Sequence, residues 1–425
     1  MNRTRLGSAL TMCAMLLAGP MTATSSQGPA PAAFDLPSPT GPYAIGTTSW
    51  HVTDRSRHET FASSGEFRQV EVFAWYPATR RGGAVAPYLR EGVAEVRPFA
   101  TLLGAELAFD QLESVRTHAE LDAPPASSPR RFPLLVFSHG YTGLPSSYTA
   151  LLEHLASHGY AVLSVVHPYE STAATLSDGR VVAMNGSDGK FNQGIQDVLA
   201  EWAVEDETMT KVTRATDPAE QERLLRGYLG TLHRTDVMLK RWVDDLKLVL
   251  DRFRDLPARS AGGQLAARVD ASRAGVFGHS MGGVTAAQFC VEDTRCRAGL
   301  NLDGIPQYGP MIDTPMAKPF LMVYSARPGR DGASDPIYQR SAHPYYRVDV
   351  RDTGHLEFTD MVFWGGPLRE RNVLKALPPA RAAEITAAIV QQYFDQELAG
   401  KRSPLLAGTQ SYPEVTARIV APAAH

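Results

Sequence analysis

Short runs of mainly apolar residues recur along the chain at 132–137, 161–166, 274–277, 298–302, 320–324 and 346–350. Each has the length of a strand, and most lack the apolar–polar alternation of a strand with one wet face. A strand that is apolar on both sides must be covered on both sides, which is the situation of a parallel sheet sandwiched between helices. The intervening segments supply the helices. Residues 148–158 and 282–289 read as helical, and Leu224, Leu225, Tyr228, Leu229 and Leu232 share one helical face. A second stripe passes through Leu239, Trp242, Val243, Leu246, Val249, Leu250 and Phe253, again at spacings of three and four. Asp217-Pro218-Ala219-Glu220 has the form of an N-cap, a proline at N1 and a capping-box glutamate. A last helix runs from about 380 to 398 and stops at Gly400. Two strand-like runs, 46–52 and 70–76, precede all of this, the second closed by Pro77. Strand and helix alternating throughout predict a doubly wound α/β fold with a mostly parallel sheet, right-handed crossovers and a helical insertion at about 190–256.

Charge narrows the function. The chain has 42 Lys and Arg against 45 Asp and Glu, a net charge of −3, so there is no basic excess to neutralise phosphates and no nucleic-acid partner is expected. Beyond the first twenty residues no apolar run reaches the roughly 18 residues of a transmembrane helix. The N-terminus itself has Arg3 and Arg5, an apolar stretch over 6–18, then Pro20, Thr22 and Ala23. That is the pattern of a secretory signal peptide spanning residues 1–23, and it implies a secreted or periplasmic protein. Residues 24–42, rich in Pro, Ala, Ser and Thr, read as a flexible leader, and 43–425 as a single domain. Cys13 would leave with the signal. Cys290 and Cys296 remain, a close pair that an oxidising compartment would join as a disulfide. No metal-ligand spacing is present at the cysteines, and neither a metal nor an organic cofactor is expected.

The most specific signal is Gly278-His279-Ser280-Met281-Gly282-Gly283, where the run 274–277 meets the small-residue helix. A serine at such a strand–turn–helix corner is held in strained backbone with its hydroxyl exposed, and the flanking glycines allow the close approach. Ser280 is therefore the candidate nucleophile, and the Met281 N–H a candidate oxyanion donor. A nucleophilic serine of this kind needs an acid and then a histidine later in the chain. His355 follows the last parallel strand in a loop that Gly354 lets turn back; His343 precedes that strand, and the terminal His425 has no anchor. For the acid, Asp303 directly follows the run 298–302, while Asp331 and Asp335 occupy the glycine-rich loop after the next strand. Placement favours Asp303, with the other two left as alternatives. The loop His139-Gly140-Tyr141, after 132–137, offers the Tyr141 N–H as the second oxyanion donor, with His139 read as a structural support.

Several segments carry a family likeness. They are PLLVFSHGY at 133–141, LASHGY at 155–160, His167-Pro168-Tyr169 with Asp178-Gly179-Arg180, the motif at 278–283, Leu302-Asp303, and His355 with Phe358 and Asp360. Tyr393-Phe394-Asp395 and Tyr412-Pro413-Glu414-Val415 extend the match, so that it covers about 42–415. Together they resemble the plasma-type platelet-activating-factor acetylhydrolase family of α/β-hydrolases, in particular its secreted bacterial branch. The resemblance implies an α/β-hydrolase fold, cleavage of carboxylic esters, and an acid on the strand after the nucleophile helix, which is Asp303. One departure bears on the substrate. The animal enzymes have Leu and Phe at the two oxyanion-donor positions, where this chain has Tyr141 and Met281. Gly140-Tyr141-Thr142 with Gly278-His279-Ser280-Met281-Gly282 is similar to the bacterial cutinase-like polyester hydrolases, which are shorter, lack the insertion and place their acid one strand later.

The leading expectation is a secreted serine esterase acting on small, lipid-like or polymeric esters through Ser280, His355 and Asp303 and an acyl-enzyme. A serine peptidase of prolyl-oligopeptidase type shares fold and triad but usually carries a propeller or an acidic clamp for the peptide amine, and the chain has no room for a propeller. Acyl transfer to an acceptor other than water uses the same residues. A hydrolase-fold binding protein would lack a triad member, and all three positions are filled.

Overall fold

The structure, a computed structural model, describes residues 34–420 apart from 63–64, 104–108, 187, 342, 365–367, 370–373 and 410. The expected signal peptide, Cys13 and His425 lie outside the described residues.

The apolar runs form strands β4 (Phe132–Ser138), β5 (Ala161–Val166), β8 (Val269–His279), β9 (Cys296–Leu302), β10 (Phe320–Ser325) and β11 (Tyr345–Val350). The early runs form β1 (Ala44–His58) and β2 (Phe67–Ala78), and β3 (Ala119–Leu121) and β12 (Val415–Val420) lie at the sheet's edges. The sheet order is β12-β11-β10-β9-β8-β4-β5-β2-β1-β3. From β11 to β5 every neighbouring pair is parallel. The missing alternation in the sequence now has its cause. In β4, Leu134 and Val136 enter one core while Leu135 and Phe137 enter the other, and in β8 Val276 and Phe277 divide in the same way. Both pleat faces are dry, so both sets of side chains must be apolar.

The alternation of strand and helix is less complete than the sequence pattern predicts. β1 and β2 form an antiparallel hairpin, and β12 closes the far edge antiparallel to β11. Only the turn Gly309–Ile312 lies between β9 and β10, and only the four-residue helix Asp335–Tyr338 between β10 and β11. The helix Pro379–Ala399 packs over that part of the sheet, contributing Ile385, Ile389, Tyr393 and Phe394 to the second core. Connecting helices are not needed where a later one already covers the face.

The insertion is four helices, Gln193–Glu201, Glu205–Arg214, Pro218–Leu229 and His233–Arg252, laid over the first core. The stripe Leu239, Trp242, Val243, Leu246, Val249, Leu250, Phe253 is buried along its whole length. Asp217 caps its helix by accepting from the Ala219 N–H at 3.1 Å, with Pro218 at the first position. Glu220 does not complete the expected capping box; its carboxylate binds the Arg223 guanidinium at 2.7 Å instead. An exposed arginine three residues on competes well for a carboxylate that would otherwise reach back to one main-chain N–H.

Composition makes 24–42 a flexible leader, yet its described part is anchored. Leu36 is buried, Phe34 stacks on Phe363 at 5.9 Å, and the Gly41 N–H donates to Ser157 Oγ at 3.1 Å. Two apolar side chains among the prolines are enough to dock it, so the folded body starts before residue 43.

A disulfide joins Cys290, in the helix Met281–Glu292, to Cys296, the first residue of β9. The loop it closes is short, so it ties the helix to the next strand more than it stabilises the whole chain. Mass spectrometry of the non-reduced protein should find no alkylatable thiol at either position. A mass two hydrogens heavier, with both cysteines alkylated, would show the bond absent.

Candidate active site

Ser280 sits between β8 and the helix Met281–Glu292 with φ 56° and ψ −126°, a left-handed conformation unusual for a residue with a side chain. The surroundings impose it. A Cβ on Gly278 would lie 2.3 Å from the Gly282 carbonyl carbon, and one on Gly282 would lie 2.0 Å from the Ser138 carbonyl oxygen. No side chain fits at either place, so strand and helix meet closely and the chain must turn sharply at Ser280. The Ser280 N–H donates to the Leu302 carbonyl at 2.8 Å, locking the corner to the end of β9. Met281 opens the helix, where main-chain N–H groups have no intrahelical acceptor and carry partial positive charge.

At the end of β9, Asp303 is 1% exposed and gathers four donors. His355 Nδ1 lies 2.7 Å from its Oδ2, Ser325 donates its N–H to Oδ1 at 2.8 Å and its hydroxyl to Oδ2 at 2.9 Å, and Arg327 Nη2 stands 2.8 Å from Oδ2. Burial alone would push this carboxyl up, but Arg327, the His355 hydrogen bond and the Ser325 amide outweigh it and hold it well below the usual carboxylate range. With Nδ1–H committed to Asp303, the neutral His355 ring carries its basic lone pair on Nε2. Burial, then the Arg327 charge, lower the His355 pKa below 6.5, against the opposing pull of Asp303.

The rival residues are engaged elsewhere. Asp331 is exposed and paired with Arg347. Asp335 accepts from the Tyr324 hydroxyl at 2.9 Å and the Tyr345 hydroxyl at 2.6 Å and is bridged by Arg347. His343 is exposed ahead of β11. The structure thus pairs His355, from the loop after β11, with Asp303 at the end of β9, beside the β8 end that carries Ser280, and leaves Asp331, Asp335 and His343 in other contacts.

The loop after β4 reaches the same place. A Cβ on Gly140 would stand 3.3 Å from Ser280 Cβ, so this loop lies directly against the serine. The Gly140 carbonyl accepts from His139 Nδ1–H at 2.7 Å and from the Gly143 N–H at 2.9 Å. In a planar trans peptide the N–H points opposite to the carbonyl, so fixing the Gly140 oxygen also aims the Tyr141 N–H. His139 is fully buried, and its other nitrogen accepts the His167 N–H at 3.2 Å. Burial, with His167 nearby, pushes its pKa down to about 3, so the ring stays neutral and keeps this donor–acceptor pattern. The insertion supports the loop from behind. Tyr141 packs against Trp202 at 5.4 Å and Trp242 at 5.9 Å, and Asp245 from the helix His233–Arg252 binds His167 at 2.9 Å and Arg68 at 2.7 Å.

Sequence reasoning missed Arg327 and Ser325. Ser325 ends β10 and Arg327 follows two residues on, and β10 is the neighbour of β9. A search for residues just past the strand beside the acid would have found both.

Comparison with known proteins follows the same lines. Residues 32–330 match the family described as platelet-activating factor acetylhydrolase, isoform II. The chain belongs to that family. The platelet-activating factor acetylhydrolase of Cavia porcellus is 24% identical over 339 residues, covering 78% of this chain and 70% of its own length. A probable 1-alkyl-2-acetylglycerophosphocholine esterase of Arthroderma benhamiae is 22% identical over 418 residues, covering 91% and 94%. A solved ferulic acid esterase from Streptomyces cinnamoneus superposes with a TM-score of 0.68 at 29% identity, over 91% of this chain and 99% of its own. Membership of the acetylhydrolase family, with an esterase as structural neighbour, makes the chain an ester hydrolase with the α/β-hydrolase fold. Among the described residues no helix is long and apolar enough to cross a membrane.

Proposed function

We propose that the protein is an exported serine carboxylic-ester hydrolase that works through an acyl-enzyme on Ser280. The observation that carries this reading is the 2.7 Å pairing of His355 Nδ1 with the buried Asp303 carboxylate, one strand over from the strained Ser280 corner. Ser280 Oγ attacks the ester carbonyl carbon as its proton passes to His355 Nε2. The N–H groups of Tyr141 and Met281 stabilise the oxyanion. Asp303 stabilises the imidazolium formed, which then gives its proton to the departing alcohol. Water, activated by the same His355, releases the acid and restores the serine. The N-terminal pattern and the disulfide both support export to an oxidising compartment.

The substrate class we favour is a lipid-like ester with a short acyl group, in line with the names of the family and of the Arthroderma relative. The second reading, an esterase of aromatic or polymer-borne acyl groups, is favoured by the ferulic acid esterase neighbour. A panel of p-nitrophenyl esters of increasing chain length, run beside a phospholipid with a short sn-2 acyl group and a feruloyl ester, separates them. Highest kcat/KM on the phospholipid supports the first reading, and on the feruloyl ester the second.

The lowered His355 pKa sets the pH dependence. The base must be neutral, so kcat/KM should stay high as pH falls below 6.5 and decline only through the depressed pKa. Arg327→Met removes a like charge from the ring and a cation from Asp303, and both changes raise the His355 pKa. The acid limb of the variant should therefore move to higher pH. A limb that stays in place would show that Arg327 does not act on His355.

A further inference from the structure

His279, next to the proposed nucleophile, is 3% exposed and lies between two parts of the site that are far apart in sequence. Its Nε2 is 2.8 Å from the His355 main-chain carbonyl oxygen, and its Nδ1 is 3.0 Å from the Tyr148 hydroxyl. That hydroxyl in turn receives the Gly140 N–H at 3.2 Å. The proton positions follow from chemistry alone. A carbonyl only accepts, so His279 Nε2 carries the proton; the neutral ring then accepts at Nδ1, so Tyr148 donates to it and accepts from Gly140. Every donor has an acceptor, and the chain has one direction: Gly140 N–H to Tyr148 Oη, Tyr148 O–H to His279 Nδ1, His279 Nε2–H to His355 C=O. Aromatic rings pack closely around it. The Tyr148 ring packs on Phe137 at 4.6 Å, and the His279 ring lies 4.4 Å from that of His355.

We propose that Tyr148 and His279 are positioning residues that hold the oxyanion loop and the His355 loop in register across the Ser280 corner. This deepens the reading above and rests on its assignment of Ser280, His355 and Tyr141. Neither side chain exchanges a proton with substrate. Together with the His139 bond to the Gly140 carbonyl, the relay holds the residue before Tyr141 at both its N–H and its C=O. At its other end it holds the main chain of the base itself. Burial and then the neighbouring His355 keep the His279 pKa well below 6.5, so the ring stays neutral and the direction of the chain is preserved. His355→Ala leaves the carbonyl in place and breaks a different part of the site, which separates the two roles.

The test compares Tyr148→Phe, His279→Gln, His279→Ala and the Tyr148→Phe/His279→Ala double variant on a p-nitrophenyl ester. Tyr148→Phe deletes one oxygen and should lower kcat on the order of tenfold to a hundredfold with KM changed less than twofold, because small displacements of a preorganised loop act on the transition state. The rate of labelling by a serine-directed phosphonate should fall in proportion. His279→Gln, whose amide can still donate to the His355 carbonyl, should keep more activity than His279→Ala. In the double variant the loss should be no greater than in the worse single one, since both break one chain. The low-field NMR resonance of His355 Nδ1–H, held by Asp303, should persist in Tyr148→Phe. Wild-type kcat in folded Tyr148→Phe, multiplicative losses in the double variant, or a fall in active-site titre that accounts for the whole loss would each overturn the relay. Should Ser280→Ala keep activity, the reading of the site itself fails; a relay that fails alone leaves Ser280→Ala inactive.

Discussion

Ser280→Ala should lose ester hydrolysis by on the order of 10⁶-fold in kcat, the scale seen when a serine nucleophile is removed from an intact triad. The protein should remain folded with Tm unchanged within error. The corner at Ser280 is set by glycines and main-chain bonds, the Ser280 N–H to Leu302 carbonyl bond among them, and none of these uses the hydroxyl. The wild type should be labelled by a serine-directed phosphonate at Ser280 alone, and the variant nowhere. Labelling at another serine, or a variant retaining a tenth of the activity, would remove Ser280 from the mechanism.

Asp303→Asn is the second large effect, about 10⁴-fold in kcat. The amide keeps the shape of the carboxylate but can hold His355 in the wrong tautomer, and it no longer stabilises the imidazolium. It also leaves Arg327 without its counter-charge beside the ring, which makes a protonated His355 still less favourable. Asp331→Asn and Asp335→Asn should each lose less than tenfold in kcat. Asp331 is exposed, and Asp335 is held by Tyr324, Tyr345 and Arg347. Asp335→Asn should register in Tm instead, because those hydroxyls and that guanidinium would lose an anionic partner. If Asp335→Asn were the crippled variant and Asp303→Asn the silent one, the acid would follow β10, as in the cutinase-like arrangement.

The proposed acid, Asp303, lies one strand before the position of the cutinase-like arrangement, and its geometry favours that choice. Asp303 follows β9 directly and has positive φ, 60°, so it turns at once into the space where the loop after β11 arrives. The residues at the end of β10 and just past it are used otherwise. Ser325 and Arg327 turn toward Asp303 as donors, so the end of β10 supports that carboxylate from the neighbouring strand. The tyrosine–arginine cluster around Asp335 lies in the core under the insertion, with Tyr324, Tyr338 and Tyr345 all buried there.

Local chemistry made much of this readable from the sequence. Apolar runs buried on both faces, a glycine-flanked serine between strand and helix, and a histidine after the last parallel strand are each properties of a few consecutive residues. So are the insertion helix with its Asp217 cap and Pro218 start and the paired cysteines. The edge strands β3 and β12 and the pair β6 (Ala173–Thr175) and β7 (Val181–Ala183) escaped notice, because three of them are only three residues long and β12 is largely exposed, so none has an apolar pattern strong enough to stand out. Glu220 looked like a capping residue because spacing cannot show which of two donors a mobile carboxylate will choose.

What the sequence by itself determined is therefore the fold class, the strands of the sheet centre and the serine and histidine candidates, since these follow from periodicity and backbone sterics within one segment. What only the tertiary structure decided is which groups meet. Asp303, Ser325, Arg327 and His355 come from three different strand ends, and Gly140, Tyr148, His279 and His355 from segments more than two hundred residues apart at their extremes. Their pairing depends on sheet order and register, which place β4, β8, β9 and β10 side by side although the chain between them includes a four-helix insertion. Hydrogen bonds and charge–charge terms act over a few ångströms of space, and no spacing along the chain encodes that distance.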